Sequence, residues 1–143
     1  MARIKIESPE KFSFQCKIPV RITDVNYGGH VGNDAILSII HEARMQFLTN
    51  LGYTETEFAG TGMIMADAAI EFKGELFYGE TVTVSVTAAA LSKIGFDVYY
   101  KLEKEIKTNT TLVALAKTGM ICYDYTQKKI TSIPQEARKK LST

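Results

Sequence analysis

The sequence predicts an α+β fold, in which one long helix lies against an antiparallel sheet of about five strands. Three observations predict it. A stretch near residue 40 repeats apolar residues at helical spacing, the second half alternates apolar and polar residues over several runs, and no linker, repeat or low-complexity segment divides the chain. At 143 residues, 45% of them apolar and 23% charged, the chain is long enough to bury one core and short for two, so residues 1–143 read as a single domain.

The first element is a strand. In KFSFQCKIP the apolar Phe12, Phe14, Cys16 and Ile18 alternate with polar neighbours, which is the period of a half-buried strand. A polar, glycine-rich stretch follows, RITDVNYGGHVGND, residues 21–34. From Asp34 onward Ile36, Ile39, Ile40, Ala43 and Phe47 fall at spacings of three and four, so one helical face is apolar. Asn33 or Asp34 is suited to cap this helix and Gly52 to end it. Strand-like runs then cover 63–73, 80–91, 94–106 and 111–124, with LSKIG and KTNT as hairpin turns. The tail TSIPQEARKKL suits a short last helix, with Pro134 in its first turn and basic residues near its end. A lone helix has nothing but the sheet to bury against.

Composition excludes several classes of function. A formal net charge of +1 gives no basic field for nucleic acid. MARIKIESPEKF has no apolar run of the kind a secretory leader carries, and no stretch approaches the ~18 apolar residues of a membrane span. The expectation is a soluble cytoplasmic protein with neither nucleic-acid nor membrane partners. Cys16 and Cys122, with no C-x-x-C pairing, read as buried free thiols.

The order of strand, D-x-N-x-x-G-H-V-x-N, helix with H-E-A-R, and a later AIEFKGELFYGETVTV resembles the hotdog-fold acyl-CoA thioesterases of the 4-hydroxybenzoyl-CoA thioesterase type. Asp24, Gly29, His30, Val31, Asn33, Glu42, Ala43, Arg44, Tyr78 and Gly79 fall on that pattern, and the likeness covers nearly the whole chain. The resemblance implies a hotdog fold, with the sheet wrapped around the helix. It also implies two subunits sharing one continuous sheet, as a homodimer or homotetramer, and sites for an acyl-CoA at the subunit interface. It implies no metal or bound cofactor.

One departure bears on the chemistry. Relatives that use the loop for catalysis carry D-x-D, and their second Asp attacks the thioester or activates water. Asn26 stands there in this chain. An amide can orient a water or a carbonyl but is no general base near neutral pH. Three side chains remain as candidates. Asp24 keeps the first acidic position, although in relatives that residue more often props the loop. His41 lies eight residues after Asn33, close to where a second hotdog branch places a catalytic carboxylate on the helix. An imidazole ordinarily exchanges protons near pH ~6.5, which suits a base, yet a lone helical histidine is commonly structural. Glu42 follows, about 100° round the helix, so only one of the two is expected to point squarely at the same pocket.

The glycines have a reading too. Gly28, Gly29 and Gly32 permit sharp turns and close backbone approach. The first N–H groups of the helix lack intrahelical acceptors and sit at its positive dipole end, ready for a thioester carbonyl and its oxyanion. Gly29, His30, Gly32 and Asn33 are therefore candidate substrate contacts, against the plainer reading of a glycine turn before a capped helix. Ser92 and Lys93, in the hairpin that in the family faces pantetheine and phosphates, are candidates for CoA. Met63, Ile64 and Met65 either shape an acyl pocket or simply pack the core. The expected function is hydrolysis of an acyl-CoA thioester to the acid and CoA. Two alternatives stay open: hydrolysis of acyl groups on an acyl carrier protein, and a catalytically silent acyl-CoA binder.

Overall fold

A computed structural model describes residues 1–143. The elements run in the order β1 (Phe14–Pro19), a single 3₁₀ turn (Ile22–Asp24), α1 (Asn33–Asn50), β2 (Gly62–Phe72), β3 (Thr81–Ala89), β4 (Gly95–Ile106), β5 (Asn109–Asp124), β6 (Lys129–Ile130) and α2 (Gln135–Leu141). The sheet is antiparallel with the order β1-β3-β4-β5-β2, and the two-residue β6 adds to β5. The four long strand predictions are met within two residues at each end; β6 is too short to leave a period in the sequence.

α1 forms because its apolar positions share one face. Ala35, Ile36, Ile39, Ile40, Ala43, Phe47 and Leu48 are all buried. They meet inward rows set by the sheet register: Val84 opposite Leu102 and Leu102 opposite Ala114, then Val86 opposite Tyr100 and Tyr100 opposite Ala116. One apolar cluster runs from Ile18 to Leu141, α2 contributing Ala137 and Leu141. A truncation such as Ile40→Ala, at a fully buried position, would cost about 2–5 kcal/mol through lost transfer energy and the cavity left behind.

Details depart from the sequence reading at the helix start. The N-cap is Gly32, in extended conformation and with no side-chain cap bond, rather than Asn33 or Asp34. Asn33 opens the helix and Asp34 sits in its first turn, where a carboxylate suits the dipole. At the other end Leu51 is the C-cap, and Gly52 takes φ +90°, as a residue leaving a helix often must. Pro134 is the N-cap of α2, and Arg138, Lys139 and Lys140 fill its last turn. Cys122 is buried as expected, but Cys16, on the edge strand β1, is only half-buried. No helix is long and apolar enough to cross a membrane.

Candidate active site

The loop before α1 is shaped by its own polar groups. Asp24 is buried. Its Oδ2 accepts the Arg21 backbone N–H at 2.9 Å and its Oδ1 lies 3.3 Å from the Arg21 guanidinium. Its carbonyl accepts the Gly32 N–H at 3.1 Å. Asn26 Oδ1 accepts the Gly28 N–H at 2.9 Å, a side-chain turn of the kind that Asn favours. Backbone bonds from Asn26 N–H to the His30 carbonyl (2.9 Å) and from Gly29 N–H to the Asn26 carbonyl (3.0 Å) close the loop. Val31 N–H then donates to the Leu76 carbonyl at 2.8 Å, pinning the loop to the segment before β3. His30 donates from Nδ1 to the Val31 carbonyl at 3.2 Å and meets Phe77 edge-on, with ring centres 6.5 Å apart.

Several expectations are corrected here. Of the three glycines, only Gly29 has positive φ, at +81°. Gly32 is buried with an ordinary φ of −71°, and its N–H is spent on Asp24, so it offers no donor to a ligand. The next two N–H groups, of Asn33 and Asp34, precede Ala35, the first to donate to the Gly32 carbonyl, and have no partner in the fold. Ser92 is not a free hydroxyl: its Oγ accepts the Gly95 N–H and donates to the Gly95 carbonyl, both at 3.1 Å, locking the hairpin. Lys93 is exposed in the same turn, its carbonyl accepting the Ile133 N–H at 2.9 Å. These two residues do not line the groove that holds the candidate bases.

That groove, about 410 Å³, runs between β1 and α1. Asp24, His41 and Glu42 line it together, with Lys17, Arg21 and Ser38. Both neighbours on the helix therefore reach the same groove, contrary to the expectation from their 100° separation, because the groove is wide and wraps the exposed side of α1. Their partners differ. Glu42 accepts a bond from Gln46 Nε2 at 2.8 Å, one turn on. Burial and then the charge of Glu42 push the Cys16 thiol up from its ordinary value, and Glu42 lines the groove with Lys17, Ile18 and Pro19 of β1. No three of the His, Cys, Asp and Glu side chains converge as metal ligands would.

His41 is held differently. Its Nε2 lies 2.7 Å from Oε1 of Glu55, in the loop after α1. The other carboxylate oxygen accepts Arg44 Nε at 2.9 Å, and Arg44 Nη1 donates to the Tyr100 hydroxyl at 3.1 Å. That hydroxyl in turn shares a 2.7 Å hydrogen bond with Thr118 Oγ1, in which either oxygen can donate. Arg44, Tyr100 and Thr118 are buried on α1, β4 and β5, so the chain of bonds runs from the groove to the centre of the sheet. Burial alone raises the Glu55 carboxyl, but the bonds from His41 and Arg44 outweigh it and hold the group below the usual carboxylate range. Glu55 was missed in the sequence. It lies in TETEF with no motif around it, and only the fold brings it back against α1.

Comparison with known proteins places this geometry in a family. The sequence model of the thioesterase-like superfamily matches residues 20–141. The chain belongs to the thioesterase-like superfamily. A 1,4-dihydroxy-2-naphthoyl-CoA hydrolase of Microcystis aeruginosa is 28% identical over 122 residues, 83% of this chain and 86% of that one. Among solved structures, a 1,4-dihydroxy-2-naphthoyl-CoA thioesterase from Synechocystis superposes with a TM-score of 0.80 at 20% identity, covering 90% of this chain and 95% of that one. A mutant 4-hydroxybenzoyl-CoA thioesterase in complex with 4-hydroxybenzoyl-CoA superposes at 0.81 and 12% identity, over 90% and 97% of the two chains. Both solved structures share the hotdog fold expected from the sequence, an antiparallel sheet around one long helix.

Proposed function

We propose that this member of the superfamily hydrolyses an acyl-CoA thioester to a carboxylic acid and CoA. The observation that carries the reading is the pairing of two unpartnered N–H groups, of Asn33 and Asp34, with an ionisable groove further along the same helix. Eight residues raise His41 about 12 Å above Asn33 along the axis. Helical side chains lean back toward the N-terminus, and a carbonyl with its attacking water fills the remaining gap through contacts of about 3 Å each.

In this reading His41 takes a proton from water, and the hydroxide oxygen bonds to the thioester carbon. The carbonyl electrons move onto oxygen, where the N–H groups of Asn33 and Asp34 stabilise the oxyanion. Collapse breaks the C–S bond, and the imidazolium returns its proton to the departing thiolate. Asp24, buried and fully engaged, holds the loop, and Asn26 shapes it. Lys93 is the remaining candidate for a CoA phosphate contact, because its ammonium has no carboxylate partner.

We also propose that residues 1–143 act as one domain and pair into at least a homodimer. β2 is an edge strand of 11 residues with Met65 and Phe72 exposed, and an unpaired apolar edge favours association. Two free thiols suit a reducing compartment, so we place the protein in the cytoplasm.

Thiol release from a panel of aliphatic and aromatic acyl-CoAs, including 1,4-dihydroxy-2-naphthoyl-CoA, tests the reaction. Release from at least one ester supports it. Asn26 at the family's acidic position favours one competing reading, the silent acyl-CoA binder, and tight binding without any thiol release would establish that instead. Sedimentation at micromolar concentration tests the assembly, and a stable monomer would overturn it.

A further inference from the structure

His41 is the only groove histidine, and its environment sets which nitrogen can act. A carboxylate accepts hydrogen bonds and donates none, so an ionised Glu55 at 2.7 Å requires the proton on Nε2. Nδ1 makes no hydrogen bond within the protein and is left with its lone pair. Glu55 itself has little freedom. Arg44 grips its second oxygen, Arg44 is braced on Tyr100, and Tyr100 on Thr118. Its own carbonyl accepts the Met63 N–H at 2.8 Å, which ties the loop to β2. Three residues on, Phe58 is fully buried between Tyr53 and Phe96, with ring centres 5.1 and 5.8 Å away. The carboxylate is therefore anchored from both sides, while the imidazole it holds stands 55% exposed in a groove.

We propose that Glu55 is the positioning residue for His41, fixing its neutral ring as the Nε2–H form and presenting Nδ1 as the base that takes the proton from water. This rests on the reading of His41 as the base. In the step itself a water O–H bond breaks, its proton goes to Nδ1, and its electron pair forms the bond to the thioester carbon. Glu55 accepts no proton; it stabilises the imidazolium that forms, the part a carboxylate plays in a Ser-His-Asp triad. Other charged groups near the ring are Lys17, Arg21 and Asp24 across the groove and Glu42 and Arg44 on its own helix. None of these contacts a ring nitrogen of His41. An ion pair that served only to close the loop after α1 would fix the same tautomer, but its removal would leave turnover unchanged.

Glu55→Gln tests the proposal with two readouts. Long-range ¹H–¹⁵N spectra of the uniformly labelled protein report the tautomer of each histidine; the chain has only two, and His41→Gln assigns the signal. The wild type should show Nε2–H for neutral His41, and Glu55→Gln a mixture. kcat should fall about 10²-fold or more, toward the roughly 10⁴-fold lost when a triad carboxylate becomes an amide, with KM nearly unchanged. Glu55→Asp keeps the charge for Arg44 but draws the oxygen back by one methylene; it should lie between, and it serves if the Gln variant does not fold. An unchanged tautomer in Glu55→Gln overturns the proposal. So does a shifted tautomer with wild-type turnover. In that second case the rate of His41→Gln separates the two failures: if it is slow, His41 remains the base and only the positioning role falls, and if it is fast, the reading of His41 as the base falls too.

Discussion

In the loop from Asp24 to Asn33 the side-chain bonds that form stay within a few residues of their origin: Asp24 to Arg21, Asn26 to Gly28, His30 to Val31. In the middle of α1 the bonds reach far across the chain, His41 and Arg44 to Glu55 and Arg44 to Tyr100, 56 residues away. Those local bonds shape the turn, and beside it the loop presents the two N–H groups at the helix start, which have no partner in the fold. The helix middle keeps one ring nitrogen free and supports it from the core. In the function proposed above, the residues that advertise themselves in the sequence build a cradle, and the base lies a little over two turns further on.

The largest effect that separates the two regions should come from His41→Gln. General-base loss costs ~10²–10⁴ in rate, and because the side chain is 55% exposed, folding should be unchanged. Steady-state kinetics and circular dichroism decide this. A variant with wild-type kcat/KM would move the chemistry back to the loop.

Asn33→Pro tests the cradle by removing one N–H and little else. Asn33 is the first helical residue, where proline is tolerated. Gly32 before it is at φ −71° and ψ 158°, a conformation that a following proline allows. The lost N–H has no partner in the fold, so stability should hold. Loss of one oxyanion donor costs roughly 10²–10³ in kcat. An active, folded Asn33→Pro enzyme would refute the role of the helix start.

The anchor should show itself in stability. Arg44→Met strips a buried guanidinium from Glu55 and Tyr100, and urea unfolding at neutral pH should report a loss of about 3 kcal/mol, the low end for a broken buried ion pair. The difference from wild type should shrink in acid. Glu55 has a folded pKa below its unfolded value of ~4.3. The stability it contributes is therefore complete above that value and lost as pH falls through the folded pKa. A gap that stayed constant down to pH 3 would mean that Arg44 acts by packing alone.

The fold was largely open to sequence reasoning, because helical and alternating periods are local and this chain keeps them cleanly through α1, β3 and β4. The site was open only in part. The loop motif and its N–H groups could be read, as could Asp24, His41 and Glu42 as a set. The helix cap was misread, and the engagement of the Gly32 N–H and of the Ser92 hydroxyl was not foreseen; all three depend on which neighbour takes a given hydrogen bond, and residue spacing does not determine that. Glu55 was beyond reach for a related reason: its position beside His41 is made by the return of the chain from α1 into β2.

The smallest effect concerns the residue where the chain departs from its relatives. Asn26 Oδ1 accepts the Gly28 N–H at 2.9 Å, and a carboxylate oxygen accepts the same bond at least as well, so Asn26→Asp should fold normally. If the loop is only a cradle here, the new carboxylate has no step to perform and acyl-CoA turnover should stay within a few-fold of wild type, too little for a general base gained or lost. A gain of 10²-fold or more would show that the loop retains a working catalytic position from which only the acid is missing. The double variant Asn26→Asp with His41→Gln sharpens the outcome. If it is as slow as His41→Gln alone, the base on α1 is the one this chain uses; if it recovers the rate, both regions can hold a base and the asymmetry between them rests on a single amide.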